Sequence, residues 1–235
     1  MIKELIFKLC NKILNRDIHY AADIPASYLF ETVLNRGCMM IRGGVRKLRF
    51  GKSGRLFFCG KHVMIKCSKK LMIGSGVSIK DGVRIDALSK DGVIIGNNVS
   101  IGENSIIMCS GSIAEIGKGL KIGDNTGIAH NCFFGAAGGI EIGEDVAMGQ
   151  NVRFHAENHV FSDPNKLIKE QGVNHKGIKV GNNCWIGSGA VFLDGAEVGE
   201  GCVVGANAIV NKKFPENVVI VGMPAKIIGN RTIED

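Results

Sequence analysis

From Val180 onward a branched or large apolar residue recurs every six positions: Val180, Ile186, Phe192, Val198, Val204 and Val210. A small residue follows four positions after each of the first five: Cys184, Ala190, Ala196, Cys202 and Ala208. The same frame runs through Ile73, Ile79 and Ile85, through Ile95, Ile101, Ile107 and Ile113, through Ile116, Ile122, Ile128 and Phe134, and through Ile142, Met148 and Phe154. Six residues do not fit the helical repeat of 3.6, but they are three times the strand repeat of two. Each unit therefore predicts one short strand and a corner, and three units close a triangular coil of about 18 residues. The lead residue points inward and stacks on its equivalents in neighbouring coils. The small residue sits inside near a corner, where a larger side chain has no room. Gly and Asn fill the corners because they tolerate positive φ, as in Asn97-Asn98, Asp124-Asn125 and Asn182-Asn183. The predicted class is all-β, a parallel solenoid.

Its interruptions divide the chain. The frame slips between Ile113 and Ile116 and between Phe134 and Ile142, which predicts bulges or short loops at corners. Between Phe154 and Val180 it stops and then resumes, so residues 155–177 are read as a protruding loop. Long excursions from a regular solenoid usually carry function. Residues 1–20 place Ile2, Leu5, Ile6, Leu9, Ile13 and Leu14 on one helical face with lysines and an arginine elsewhere, which predicts a short N-terminal helix capping the solenoid, packing on a neighbour or lying on a membrane surface. Residues 21–72 repeat more weakly and are read as irregular basic first coils. The β-helix then spans 73–212, and 213–235 form a C-terminal tail.

Composition sharpens this picture. Glycine supplies 33 of 235 residues, about twice its usual share, without the every-third spacing of collagen. Charge is uneven: residues 1–72 hold 15 Lys and Arg against 4 Asp and Glu, a net of +11, while the remainder holds 14 against 18, a net of −4. The stretch Arg36–Lys70 carries eleven cations and no acid, a face suited to solvent or to an anionic partner. Aromatic interleaving there is sparse and no nucleic-acid-binding module is visible, so nucleic acid is not an expected partner. Eight cysteines without a CxxC pair, and an N-terminus without the pattern of a cleaved leader, predict reduced thiols and a cytoplasmic location. Cys132, Cys184 and Cys202 fall on small interior positions and read as buried hydrophobes. Trp185, the one tryptophan, precedes the interior Ile186 and so faces outward.

The segments ENHVFSD at 157–163, QG at 171–172, IKVGNNCWIGSGAVFLDGAEVGEGCVVGANAIVNKKFP at 178–215 and VGMPAKIIG at 221–229 together resemble the hexapeptide-repeat acyltransferases, in particular the branch of maltose, galactoside and polysaccharide O-acetyltransferases. The resemblance covers about residues 73–230. It implies a left-handed parallel β-helix, a homotrimer, and acetyl-CoA lying in the groove between neighbouring subunits, with no metal. It implies that His159, just ahead of the V-F-S-D segment, is the general base. An unperturbed imidazole, with a pKa of about 6.5, suits removal of a proton from an acceptor hydroxyl near neutrality. Glu157 is the candidate to orient that imidazole. Asn131 and Trp185 are implied to line the acceptor and acyl site, Ser188 and Ala206 the pantetheine, and Asn211, Lys212 and Lys226 the nucleotide and phosphates of CoA. His155 is a second imidazole four residues before His159, where the repeat leaves its coil.

The expected reaction is acetyl transfer to a hydroxyl of a small or carrier-linked sugar, in the setting of surface-polysaccharide assembly. The basic N-terminal region is also a candidate for association with a membrane surface. N-acetylation of an amino sugar or drug-like acceptor is the nearest alternative, because a histidine base serves an amine as well. A zinc site built on His130, His155 and His159, or a scaffold without catalysis, are the readings from other classes.

Overall fold

The structure, a computed structural model, describes residues 23–231. Three sheets, parallel throughout except for the last strand of the second, form the faces of a triangular prism. The first has eight strands, from Lys52–Ser53 to Lys213–Phe214; the second has nine, from Phe57–Cys59 to Lys226–Asn230; the third has seven, from Met64–Lys66 to Ile209–Val210. The chain visits them in rotation, so each coil pairs only with the coil above and the coil below. The result is the left-handed parallel β-helix of the hexapeptide type.

The predicted inward ladder is the core. Ile73, Ile79, Ile85, Ile95, Ile101, Ile107, Ile122, Ile128, Phe134, Ile142, Met148, Phe154 and the series from Val180 to Val210 are all buried, as are the small residues Cys132, Cys184, Ala190, Ala196, Cys202 and Ala208. In the third sheet the phenyl rings of Phe134, Phe154 and Phe192 stack with centroids 5.1 and 4.6 Å apart. Two of the three corners are tight. At the first-to-second and second-to-third corners, Asn98, Asn125, Asn183, Asn104, Asn131, Asn151 and Asn207 all take φ between +51° and +59°, the left-handed conformation the sequence predicted. The glycine that opens a corner is required by closeness: a Cβ on Gly181 would lie 2.6 Å from the amide nitrogen of Glu200 in the next coil.

The third-to-first corner differs. Every excursion leaves there, so the lead residues across it, Ile85 to Ile95, Ile107 to Ile122, Phe134 to Ile142 and Phe154 to Val180, are separated by more than six residues. This corrects part of the predicted frame. Ile113 and Ile116 are exposed and lie in the excursion between Ile107 and Leu120, not in the ladder. Their six-residue spacing from Ile107 and Ile122 is coincidental, and the sequence gains its second slip from the shorter loop 136–139.

The reading of 21–72 as irregular coils is corrected as well. A helix, α1, spans Ala26–Arg46, and regular coils begin at Lys52. The predicted helix over 1–20 lies outside the described residues. α1 packs on the first strand of the second sheet, where a Cβ on Gly43 would strike the Phe57 carbonyl, so only glycine permits the approach. Among the described residues no coil precedes the first to pair with its free carbonyls. Cations at this end meet them: Arg42 Nε donates to the Cys59 carbonyl at 2.9 Å, Arg46 to that of Val63, and Lys47 Nζ to that of Arg55 at 2.8 Å. Arg36 donates to Ser78 Oγ at 3.0 Å and lies over the Phe58 ring. At the opposite end, Lys226–Asn230 folds back antiparallel on Val218–Val221.

Candidate active site

The loop between Phe154 and Ile178 is built, not slack. Asn158–His159 pairs antiparallel with Val173–Asn174, so the excursion starts as a two-stranded hairpin. The middle is tied by Gln171, whose Oε1 accepts the Asp163 N–H at 3.0 Å and whose Nε2 donates to the carbonyls of Asp163 and Lys166. Its stem is held by Asp194, a carboxylate only 8% exposed on the following coil. Asp194 accepts the N–H groups of Lys176 at 2.9 Å and Gly177 at 2.8 Å through Oδ1, and the Asn158 side-chain amide at 3.3 Å through Oδ2. One buried anion therefore grips both legs of the hairpin, including the residue next to His159. Charge-assisted bonds of this kind are the stronger class.

His159 is exposed on this hairpin and makes no side-chain hydrogen bond among the described residues. Glu157 does not orient it. The carboxylate of Glu157 lies 2.9 Å from His175 Nε2 instead, in a pair with side chains 31% and 24% exposed. The expectation for Glu157 is corrected on that geometry. The hairpin register puts His175 directly across from Glu157 and leaves Val173 across from His159. Because strand side chains alternate, Glu157, His159 and His175 share one face of the hairpin, and Asn158 uses the other to reach Asp194. Nothing local in the sequence marks His175, which lies 18 residues from its partner and belongs to no motif.

His155 ends its strand in the third sheet with its ring 5.4 Å from that of Phe133. Burial, and then the neighbouring Arg153 cation, push its pKa below the usual imidazole value. His130 stands at a second-to-third corner. Among the described residues no group of three His, Cys, Asp or Glu side chains is gathered that could hold a metal ion.

Trp185 faces outward on the second sheet, 60% exposed, between Ala147 and Val203 on the adjacent strands. Beside it Gly127 and Ala147 lack bulk, and a shallow groove of about 480 Å³ opens between the indole, Asn125, Asp145 and Met148. A Cβ on Gly127 would meet only the Ser100 hydroxyl, at 3.7 Å, so the groove has room. Ser188 and Ala206 follow at the second-to-third corner of successive coils, with the Asn207 N–H donating to the Ser188 carbonyl at 2.9 Å. Asn131 occupies the same corner two coils earlier, with φ of +57°. Lys226 opens the final strand of that same second sheet. Asn211 and Lys212 are elsewhere, at the third-to-first corner, where Lys212 Nζ lies 5.4 Å from the Phe214 ring centroid.

The predicted residues thus form two groups. Trp185, Ser188, Ala206, Asn131 and Lys226 belong to the second sheet and its far corner. His159, Glu157, Asn211 and Lys212 belong to the third-to-first corner, with the third sheet between. One chain does not gather them at a single point along its surface.

The fold and repeat define a hexapeptide-repeat left-handed β-helix protein. The family model described as bacterial transferase hexapeptide (six repeats) matches residues 177–212. The galactoside O-acetyltransferase of Escherichia coli is 31% identical over 141 residues, 58% of this chain and 64% of that protein. The Mycobacterium tuberculosis protein named "Probable acetyltransferase Rv3034c" is 28% identical over 186 residues, 79% of this chain and 58% of that protein. The chain spans about three fifths of the length of the first curated relatives it matches. Among solved structures, the polySia specific acetyltransferase NeuO superposes with a TM-score of 0.54 at 24% identity, covering 78% of this chain and 83% of that one. That likeness concerns the fold.

Proposed function

We propose that this chain is an acetyl-CoA-dependent acetyltransferase that acts on a sugar hydroxyl, with His159 as general base. The observation that carries the reading is the hairpin: an imidazole without a side-chain hydrogen bond among the described residues, presented to solvent, on a loop whose stem is fixed by the buried Asp194. A catalytic base needs that combination of free nitrogen and fixed position. His159 takes the proton of the acceptor hydroxyl as that oxygen attacks the thioester carbonyl, then returns it to the departing thiolate. No acyl-enzyme is required. The relatives named as galactoside O-acetyltransferases support a sugar hydroxyl over an amine.

The residues present fit the ligand. The groove beside Trp185 is floored by Gly127 and Ala147, and the small, exposed residues Ser188 and Ala206 at the neighbouring corner leave room for an extended chain. Lys226 and Lys212 offer exposed ammonium groups for phosphates.

We further propose a homotrimer. The two groups of site residues sit on opposite sides of the third sheet, so packing prism against prism brings the hairpin of one copy to the Trp185 groove of the next. The loop residues Phe161, Leu167 and Ile168 are exposed apolar surface that such a neighbour covers. Thiol release from acetyl-CoA, measured against a panel of sugar hydroxyls and amino sugars, tests the reaction. Release with hydroxyl acceptors supports it; release only with amines moves the assignment to N-acetylation, and none with any acceptor overturns it. Light scattering at three times the 25.1 kDa chain mass tests the assembly.

A further inference from the structure

The face that α1 turns to solvent is apolar. Phe30, Leu34, Ile41 and Val45 are 58–69% exposed. At 100° per residue they fall within an arc of about 60°, roughly opposite the face formed by buried Leu29, Met39 and Gly43. The polarity of an ordinary surface helix is reversed. Arg36, Arg42 and Arg46, which would normally face open water, lie on the side of α1 that faces the solenoid and donate to the Ser78 hydroxyl and to the carbonyls of Cys59 and Val63. Leu48, just past the helix, is exposed as well. An outward apolar stripe at the end of a solenoid is costly in water and requires a covering surface.

Charge identifies the cover. Around the same end, Arg49, Lys52, Arg55, Lys61, Lys69 and Lys70 are exposed, and residues 24–70 contain a single acid, Glu31. An apolar helix stripe flanked by cations matches the interface of an anionic lipid bilayer, where the stripe enters the headgroup boundary and each cation adds attraction. A second copy would bring the same cations against these, and like charges would oppose that contact. We propose that the α1-capped end of the solenoid is a docking surface for an anionic membrane. The solenoid axis then stands away from the bilayer. This surface is separate from the hairpin and the Trp185 groove, so the inference does not depend on the acetyltransferase reading.

The test uses the full chain with vesicles of phosphatidylcholine alone or mixed with phosphatidylglycerol. The wild type is expected to sediment with the mixed vesicles and to release at about 0.5 M salt, where the Debye length is roughly 4 Å. Substituting Phe30→Ser, Leu34→Ser, Ile41→Ser and Val45→Ser together is expected to lower that binding at least about tenfold without lowering the melting temperature, since no buried contact is lost. Arg55→Glu with Lys61→Glu and Lys69→Glu is expected to weaken it by a similar factor while the stripe stays intact. Failure to sediment with mixed vesicles overturns the proposal. So does equal binding by the serine variant, or a change in its oligomeric state without vesicles, which would make the stripe a contact between copies.

Discussion

Two corners of the prism obey a strict rule and the third obeys none. At the first two, six residues separate one lead residue from the next, and from the second coil onward an Asn, Asp or Gly in the left-handed region turns the chain, while His62 takes that conformation at the second-to-third corner of the first coil. At the third, the chain leaves for loops of different lengths, and there it carries His159, His175 and Glu157. The ladder needs only two corners to stay in register, because each strand pairs with the same face of the next coil. The third corner is free to vary, and chemistry can be placed on it at little cost to the stack.

The sharpest way to break that comparison is to insert one residue at each kind of corner. An alanine between Asn104 and Ser105 shifts the following strand by one and turns its inward side chains outward. It is expected to remove cooperative unfolding altogether, as read by calorimetry. The same insertion between Ile113 and Ala114, in the exposed third-corner loop, is expected to cost under about 1 kcal/mol.

His159→Ala comes next. It lies outside the ladder, so the melting temperature should hold, while turnover falls about 10² to 10⁴, or roughly 3–5 kcal/mol of transition-state stabilisation. CoA affinity by calorimetry should be unchanged, placing the loss in kcat. His155→Ala should cost far less. If His155→Ala abolishes turnover and His159→Ala does not, the base has been assigned to the wrong imidazole.

Asp194→Ala leaves the amides of Lys176 and Gly177 without their acceptor, an expected cost of about 1–3 kcal/mol. Hydrogen exchange at those two amides should quicken while the strands around Phe154 stay protected. Asp194→Asn keeps one carbonyl acceptor and should lie between.

The smallest effect concerns the interior thiols. Burial pushes Cys109 up to about 12, against a hydrogen bond from Ser89 that lowers it, and burial likewise pushes Cys184 up to about 11. A thiol raised in the folded state stays protonated while the unfolded chain ionises. Its stabilising contribution is complete below the unfolded value near 9 and is lost as pH rises through the folded one. At pH 8, alkylation read by mass spectrometry should mark exposed Cys38 and Cys67 well before Cys109 or Cys184.

The same contrast explains what the sequence could disclose. The ladder and the tight corners are legible because interior position and turn geometry each demand a residue type at fixed spacing, and the outward Trp185 follows from its place beside Ile186. Ile113 and Ile116 mislead because an apolar residue in a loop can fall on the period by chance. α1 is hidden because its arginines pack inward and its apolar side faces out, so the usual amphipathic cue points the wrong way. The pairing of Glu157 with His175 and the grip of Asp194 on Asn158 join residues 18 and 36 positions apart, which no local pattern reports. His159 stands out as a candidate only through the motif around it.

The cations that meet the first coil's carbonyls have one more consequence. A parallel stack with a bare end is a template: any chain with the same rise can continue it, and the product is a fibre. Here the acceptors that an incoming strand would seek at Arg55, Cys59 and Val63 are already taken by Lys47, Arg42 and Arg46, and α1 occupies the space a further coil would fill. At the far end the chain folds its own last strand back on itself. Replacing Arg42 and Arg46 with methionine would therefore be felt in light scattering over days, as slow end-to-end growth, before it was felt in the fold of a single molecule.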